Sequence, residues 1–142
     1  MDLTGLYQAD ETEWLNRTAE LIKLGKYDEI DYANLTEFLE SMAERDRREV
    51  ESRLVKLIQH VLKWERQPKR RGGSWRRTIL EQQRALKRLV RGGSLRRHAE
   101  QVLPESYADG VAQAVAETGL PPERFPTDCP WSLDDLLKYS PP

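Results

Sequence analysis

The sequence predicts an all-α protein: a bundle of four main helices with one long second helix, a proline-rich C-terminal tail and a short final helix. Three observations carry that prediction. Apolar residues recur with a 3.6-residue period, glycine and proline stops and capping residues bound the periodic stretches, and no strand alternation or hairpin signal occurs in the 142 residues. A chain of this length is the size of one ordinary domain and buries most of its unfolded surface without a staple or a metal, so a single helical domain over 1–142 is expected. Charged residues make up 33% of the chain and hydrophobic ones 38%, and the periodic placement of the latter argues for a folded domain with charged faces over disorder.

The first helix is expected over about residues 7–24, where Leu15, Ala19, Leu21, Ile22 and Leu24 recur at helical spacing, Asp10 and Glu11 precede them and Gly25 follows as a stop. Asp31 reads as the cap of the long second helix. Its stripe of Leu35, Phe38, Leu39, Met42, Val50, Leu54, Leu57, Ile58, Val61 and Leu62 continues to Gln67 and meets Pro68. Roughly 35 residues at about 1.5 Å each make a rod of about 50 Å, long enough for two neighbours to share or for another subunit to pack on its far end. Between Met42 and Val50 the chain is nearly all charged; Glu44 stands four residues before Arg48 and Glu49 four before Arg53, the favourable order for helix-face ion pairs worth about 0.2–0.5 kcal/mol each.

A third helix is expected from Ser74, as its cap, to Arg91, with Trp75, Ile79, Leu80, Leu86, Leu89 and Val90 as its apolar set and Gly92 as its stop. A fourth starts at Ser94 and runs to Gly119, with Pro104 expected to kink or interrupt it. Pro121, Pro122, Pro126 and Pro130 mark an irregular tail lying along the bundle, and Ser132 with Asp135 resembles a capping box that opens the last short helix.

The near-zero net charge of −1 hides a segregation. Residues 1–51 carry 6 basic against 14 acidic side chains, residues 52–97 carry 15 against 2, and residues 98–142 carry 2 against 8. Within the basic block the phrase Arg71-Gly72-Gly73-Ser74-Trp75-Arg76-Arg77 is echoed twenty residues on by Arg91-Gly92-Gly93-Ser94-Leu95-Arg96-Arg97. Glycine and serine there are the ordinary chemistry of tight helix-to-helix turns. The arginines are not, because positive charge in a first helical turn opposes the helix dipole. Arg70, Arg71, Ser74, Arg76, Arg77, Arg91, Arg96 and Arg97 therefore form a candidate anion-binding set. Three sources of negative charge stay open: the chain's own acidic arms, which supply 22 carboxylates; an exogenous anion or nucleic acid; and a partner protein's acidic surface. The two phrases bracket a helix about 25 Å long, so among anionic ligands only a polymer touches both. Trp64 and Trp75 flank the most basic loop and are candidate stacking residues for unpaired bases, while the pI of 6.2 lies far from that of a dedicated nucleic-acid binder.

No catalytic constellation is found. His60 and His98 each follow a leucine by three residues and neither stands four from another histidine, Cys129 has no companion at metal spacing, and no phosphate loop, serine elbow or dinucleotide fingerprint occurs. No enzyme activity, metal or cofactor is expected. A lone cysteine excludes an internal disulfide, Met1-Asp2-Leu3-Thr4-Gly5 lacks a basic, apolar leader, and no run approaches the roughly 18 apolar residues of a membrane span, which together predict a cytoplasmic protein without membrane contact.

The run Leu62-Lys63-Trp64-Glu65-Arg66-Gln67-Pro68, the later Ser74-Trp75-Arg76-Arg77-Thr78-Ile79, the stretch Ala116-Glu117-Thr118-Gly119-Leu120, and Phe125-Pro126 with Cys129-Pro130-Trp131 resemble a bacterial helical family catalogued as domain of unknown function 29, over about Tyr7 to Pro141. The resemblance implies a bacterial, all-helical, single-domain protein and assigns no activity, cofactor or catalytic residue. The expected role is a non-enzymatic protein-interaction module, self-associating through the long helix or engaging a partner; the alternative is nucleic-acid or polyanion binding through the basic centre, residues 63–97.

Overall fold

The structure, a computed structural model, describes residues 2–142, and no strand occurs among them. Its helices are α1 (Leu3–Ala9), α2 (Glu11–Lys23), α3 (Tyr32–Arg66), α4 (Gly73–Leu89), α5 (Gly93–Thr118) and α6 (Leu133–Lys138). The predicted first helix is two helices, because Asp10 leaves the helical conformation (φ −154°, ψ 87°) and its carboxylate accepts the Glu13 N–H at 3.1 Å, capping α2. A carboxylate that satisfies a free amide competes with continuation of the helix. The long helix is thus the third, and its 35 residues span about 52 Å.

Two compact units divide the chain, one ending at Glu44 and one running Arg45–Pro142, with α3 contributing to both. The first is organised by Trp14, which is fully buried with Leu6, Thr18 and Ile30. Tyr7 packs edge-on to its ring at 4.6 Å and Phe38 lies at 6.0 Å, while its indole N–H reaches the Asp31 carboxylate at 3.4 Å. Asp31 also caps α3 as expected, accepting the Asn34 N–H at 3.3 Å through its side chain and the Leu35 N–H at 3.0 Å through its carbonyl. Gly25 ends α2 in the left-handed region (φ +73°), and the Lys26 N–H closes back onto the Leu21 carbonyl at 2.9 Å.

The second unit is a helical bundle built on the C-terminal half of α3. Val50, Leu54, Leu57, Ile58, Val61, Leu62 and Trp64 are buried there against Ile79 and Leu86 of α4, Ala99, Tyr107 and Ala114 of α5, Phe125 of the tail, and Leu133, Leu136 and Leu137 of α6. The small residues Ser106, Gly110 and Ala114 line the buried side of α5, and at Gly110 a Cβ would stand 2.6 Å from Ile58 Cγ2 and 3.4 Å from the Val55 carbonyl oxygen. α5 is continuous through Pro104, contrary to an interruption; the residue is exposed, so water reaches the carbonyl that its missing N–H leaves unpaired.

The serines expected as caps are not caps. α4 and α5 start at Gly73 and Gly93, with Gly72 and Gly92 as extended N-cap residues and no side-chain capping bond at either N-cap. The Gly72 and Gly92 carbonyls accept the Arg76 and Arg96 amides at 3.2 Å each, so the chain turns into the helix before it reaches Ser74 and Ser94. The tail does lie along the bundle: the Tyr107 hydroxyl donates to the Pro126 carbonyl, Trp131 stacks between Tyr107 and Tyr139 at 6.3 Å from each, and Gln83 Nε2 donates to the Leu136 and Tyr139 carbonyls at 2.9 and 2.7 Å. Ser132 and Asp135 form the predicted capping box of α6.

Gly110→Ala is expected to destabilise the protein by about 1–2 kcal/mol, the cost of pushing α5 off Ile58 exceeding the roughly 1 kcal/mol that alanine gains in helix propensity. Urea unfolding of the two proteins checks it; an unchanged or raised midpoint would show that the helices separate freely at this point.

Candidate interaction surfaces

The arginines of the two repeated phrases do not converge on one place. Around Trp64, which is 2% exposed, the guanidinium carbons of Arg71 and Arg76 lie 5.1 and 4.9 Å from the ring centre. Arg71 Nε donates to the Trp64 carbonyl at 2.7 Å, and Arg76 donates to the carbonyls of Pro141 at 3.0 Å and Pro142 at 3.3 Å. Beyond the other end of α4, Arg96 reaches Asp134 at 2.6 Å and Glu100 at 3.2 Å, holding the Asp134 carboxyl below its ordinary range, and Arg97 touches the Ser94 hydroxyl at 3.4 Å. Arg70, Arg77 and Arg91 are exposed and their side chains have no partner among the described residues; Ser74 is exposed as well. Trp64 offers no face to a base, since the protein and two of its own arginines cover it. Trp75 is half-buried with Lys63 Nζ 4.9 Å from its ring.

Lys63 itself is 6% exposed, and its ammonium is held by Glu117 Oε2 of α5 at 2.5 Å, which keeps the Glu117 carboxyl below the usual carboxylate range. An ammonium removed from water needs such a partner. The family-like runs around Trp64 and Glu117 therefore meet in space, a pairing across 54 residues that no local pattern in the sequence signals.

Sequence reasoning missed a face of α4. Arg77, Arg84 and Arg88 stand at i, i+7 and i+11, with Arg91 just past the helix, and Leu80, 50% exposed, sits between Arg77 and Arg84 on the same side. None of these four arginine side chains is paired among the described residues. Their spacing is visible in the sequence once Ile79, Gln82, Gln83 and Leu86 are known to be the buried side. In the first unit the exposed large apolar side chains are concentrated: Ile22, Leu24, Tyr27, Tyr32, Leu39 and Met42, of which Tyr32, Leu39 and Met42 prolong the stripe that α3 buries farther on. The unit boundary also resolves the charge blocks into bodies of opposite sign. Residues 1–44 carry 11 acidic and 3 basic side chains, and residues 45–142 carry 13 acidic and 20 basic.

The titratable groups singled out for chemistry lie apart. His60 Nδ1 is 2.8 Å from the Lys56 carbonyl of its own helix, and burial pulls its pKa down. His98 Nε2 is 3.2 Å from Glu51, which with Ser52, Gln59 and Asp109 lines a groove between α3 and α5 that His98 itself does not line. Burial pushes the Cys129 thiol up, the reverse of an activated thiolate, and raises Tyr139 to about 12. No group of three or more metal-ligating side chains is found among the described residues, and no helix among them is long and apolar enough to cross a membrane.

A family model described as domain of unknown function DUF29 matches residues 6–140. Comparison with the curated proteins and with the solved structures gives no match.

Two outcomes follow from the buried charges. Glu117→Gln is expected to cost only about 1 kcal/mol in urea unfolding at neutral pH, because the glutamate is half-exposed and glutamine keeps an acceptor for Lys63; the variant also loses the wild type's decline in stability as pH falls through the depressed carboxyl pKa. His60 takes its proton less readily folded than unfolded, so stability is full above its ordinary pKa of about 6.5 and falls as the solution is acidified below that. His60→Gln flattens this slope between about pH 7 and 5; an identical slope in the variant would assign the effect to other groups.

Proposed function

The chain belongs to the DUF29 family, a domain of unknown function, and from that premise we propose that it is a non-enzymatic protein-interaction module of the cytoplasm that docks its N-terminal unit onto a protein surface. The observation that carries the proposal is the exposed start of the α3 stripe. Leu39 is 59% and Tyr32 55% exposed, on the same helix whose Val50, Leu54, Leu57 and Ile58 are fully buried. Apolar side chains left in water at helical spacing, on a unit that carries 11 acidic against 3 basic side chains, are what a partner surface covers, with the acids limiting which partner is accepted. Among the described residues, six of the seven exposed large hydrophobic side chains belong to this unit.

Polyanion binding through residues 63–97 is the second reading, and the unpaired arginines of α4 favour it. Its stacking element is weak because Trp64 is buried.

Leu39→Glu, at an exposed site, is expected to leave helicity and unfolding midpoint within about 0.5 kcal/mol of the wild type while abolishing the complexes that the wild-type chain forms when cross-linked in the cells that produce it. Leu39→Ala should weaken the same complexes partially. An identical cross-linked pattern for wild type and Leu39→Glu would remove the N-terminal unit as the docking element.

A further inference from the structure

The two surfaces that the fold leaves exposed are complementary. The first unit, with 11 acidic and 3 basic side chains, is net acidic and exposes Tyr32 and Leu39; α4 presents Arg77, Arg84, Arg88 and Arg91 around Leu80, with Glu81 the one acidic residue of the helix. We propose that the basic face of α4 is the docking surface for the acidic N-terminal unit of a second copy of this chain. The proposal rests on the reading of the N-terminal unit as a docking element and names its partner.

Charge decides between the ways in which two copies can meet. Pairing the N-terminal units with each other brings two bodies of net charge −8 together, and like charges across an interface oppose association. Pairing α4 with α4 sets arginines against arginines. Only the cross pairing places carboxylates opposite guanidinium groups, which accept them in a planar, two-toothed geometry. It also sets Leu80, flanked by Arg77 and Arg84, against Tyr32 and Leu39, so that the apolar groups of both faces leave water together. The contact joins unlike faces of two copies, so each copy offers one acidic and one basic face to its neighbours. Of the other arginines, Arg71 and Arg76 are engaged by Trp64 and backbone carbonyls and Arg96 by Asp134 and Glu100, while Arg70 stands alone before α4. The stripe on α4 is the one place where unpaired arginines line up on a helix face.

The experiment is a complementary charge reversal followed by sedimentation velocity on the full chain. One variant carries Arg84→Glu and Arg88→Glu, the other Glu37→Lys and Glu40→Lys; all four sites are exposed, and circular dichroism confirms that each variant keeps wild-type helicity. The wild type is expected to self-associate, and to do so at least about tenfold more weakly when salt rises from about 50 to about 500 mM. Each variant alone should associate at least about tenfold more weakly than the wild type, because the N-terminal unit falls from −8 to −4 in one and the α4 face loses two of its four arginines in the other, and an equimolar mixture of the two should associate again. The proposal is overturned by a wild type that stays monomeric at about 1 mM, by a variant that self-associates as the wild type does, or by a mixture that fails to recover; a monomeric wild type that still loses its cellular complexes on Leu39→Glu would leave the docking element standing with a different partner. Binding of a single-stranded oligonucleotide that is lost with Arg84→Glu and Arg88→Glu, in a chain that does not self-associate, would assign the α4 face to a nucleic acid instead.

Discussion

Burial of one half of one helix is the constraint on which the second unit depends. From Val50 to Trp64, α3 is inside on nearly every turn, and α4, α5, α6 and the tail all lie against it. Such a helix needs neighbours that approach closely, which explains why α5 turns Ser106, Gly110 and Ala114 inward: any larger residue at position 110 meets Ile58. The same burial carries Lys63 out of water and compels an acidic partner from a distant part of the chain, so that Glu117 fixes where α5 sits along α3. The first half of the helix has less to cover it. Trp14 and Phe38 close a small core, and the stripe runs on into solvent.

The arginines solve their electrostatic problem by unexpected means. Helix starts without acidic first-turn residues or side-chain caps are poor places for cations, and carboxylates from the acidic arms are the obvious remedy. Only Arg96 takes that course. Arg71 and Arg76 use the face of Trp64 and backbone carbonyl oxygens instead, an arrangement open to guanidinium because it is planar, weakly hydrated and able to donate in several directions at once. In doing so Arg76 ties the end of the tail to the start of α4, and a residue that reads as ligand-binding is a structural clasp. Of the arginines without such acceptors, Arg77, Arg84 and Arg88 lie along the outer side of α4, where the helix repeat alone aligns them, and Arg70 and Arg91 stand just outside its ends.

Much of the fold was legible because its signals are local. The period of the α3 stripe, the Asp31 cap, the Gly25 stop, the Ser132 capping box and the course of the proline-rich tail each depend on residues within one or two turns of one another. The readings that failed were also local, in that a competing neighbour won: Asp10 capped a new helix where a continuous one was expected, and Gly72 and Gly92 opened their helices before Ser74 and Ser94. The candidate anion set was half legible. Its residues were found as a motif, but a motif in sequence does not say which side chains are spent on the chain's own carbonyls and rings.

By itself the sequence determined the helical class, the length of α3, its stops and the strong separation of charge, since periodicity, capping and net charge are properties of neighbouring residues. Only the tertiary structure decided that the separation falls into two units of opposite sign, that Lys63 pairs with Glu117, that Trp64 lies beneath two arginines, and that Leu39 and Leu80 stay in water while the equally apolar Leu54 and Ile79 of the same helices do not. The physical reason is that burial depends on which remote segments arrive to cover a surface, and that arrival is settled by packing across the whole chain rather than by the residues being covered.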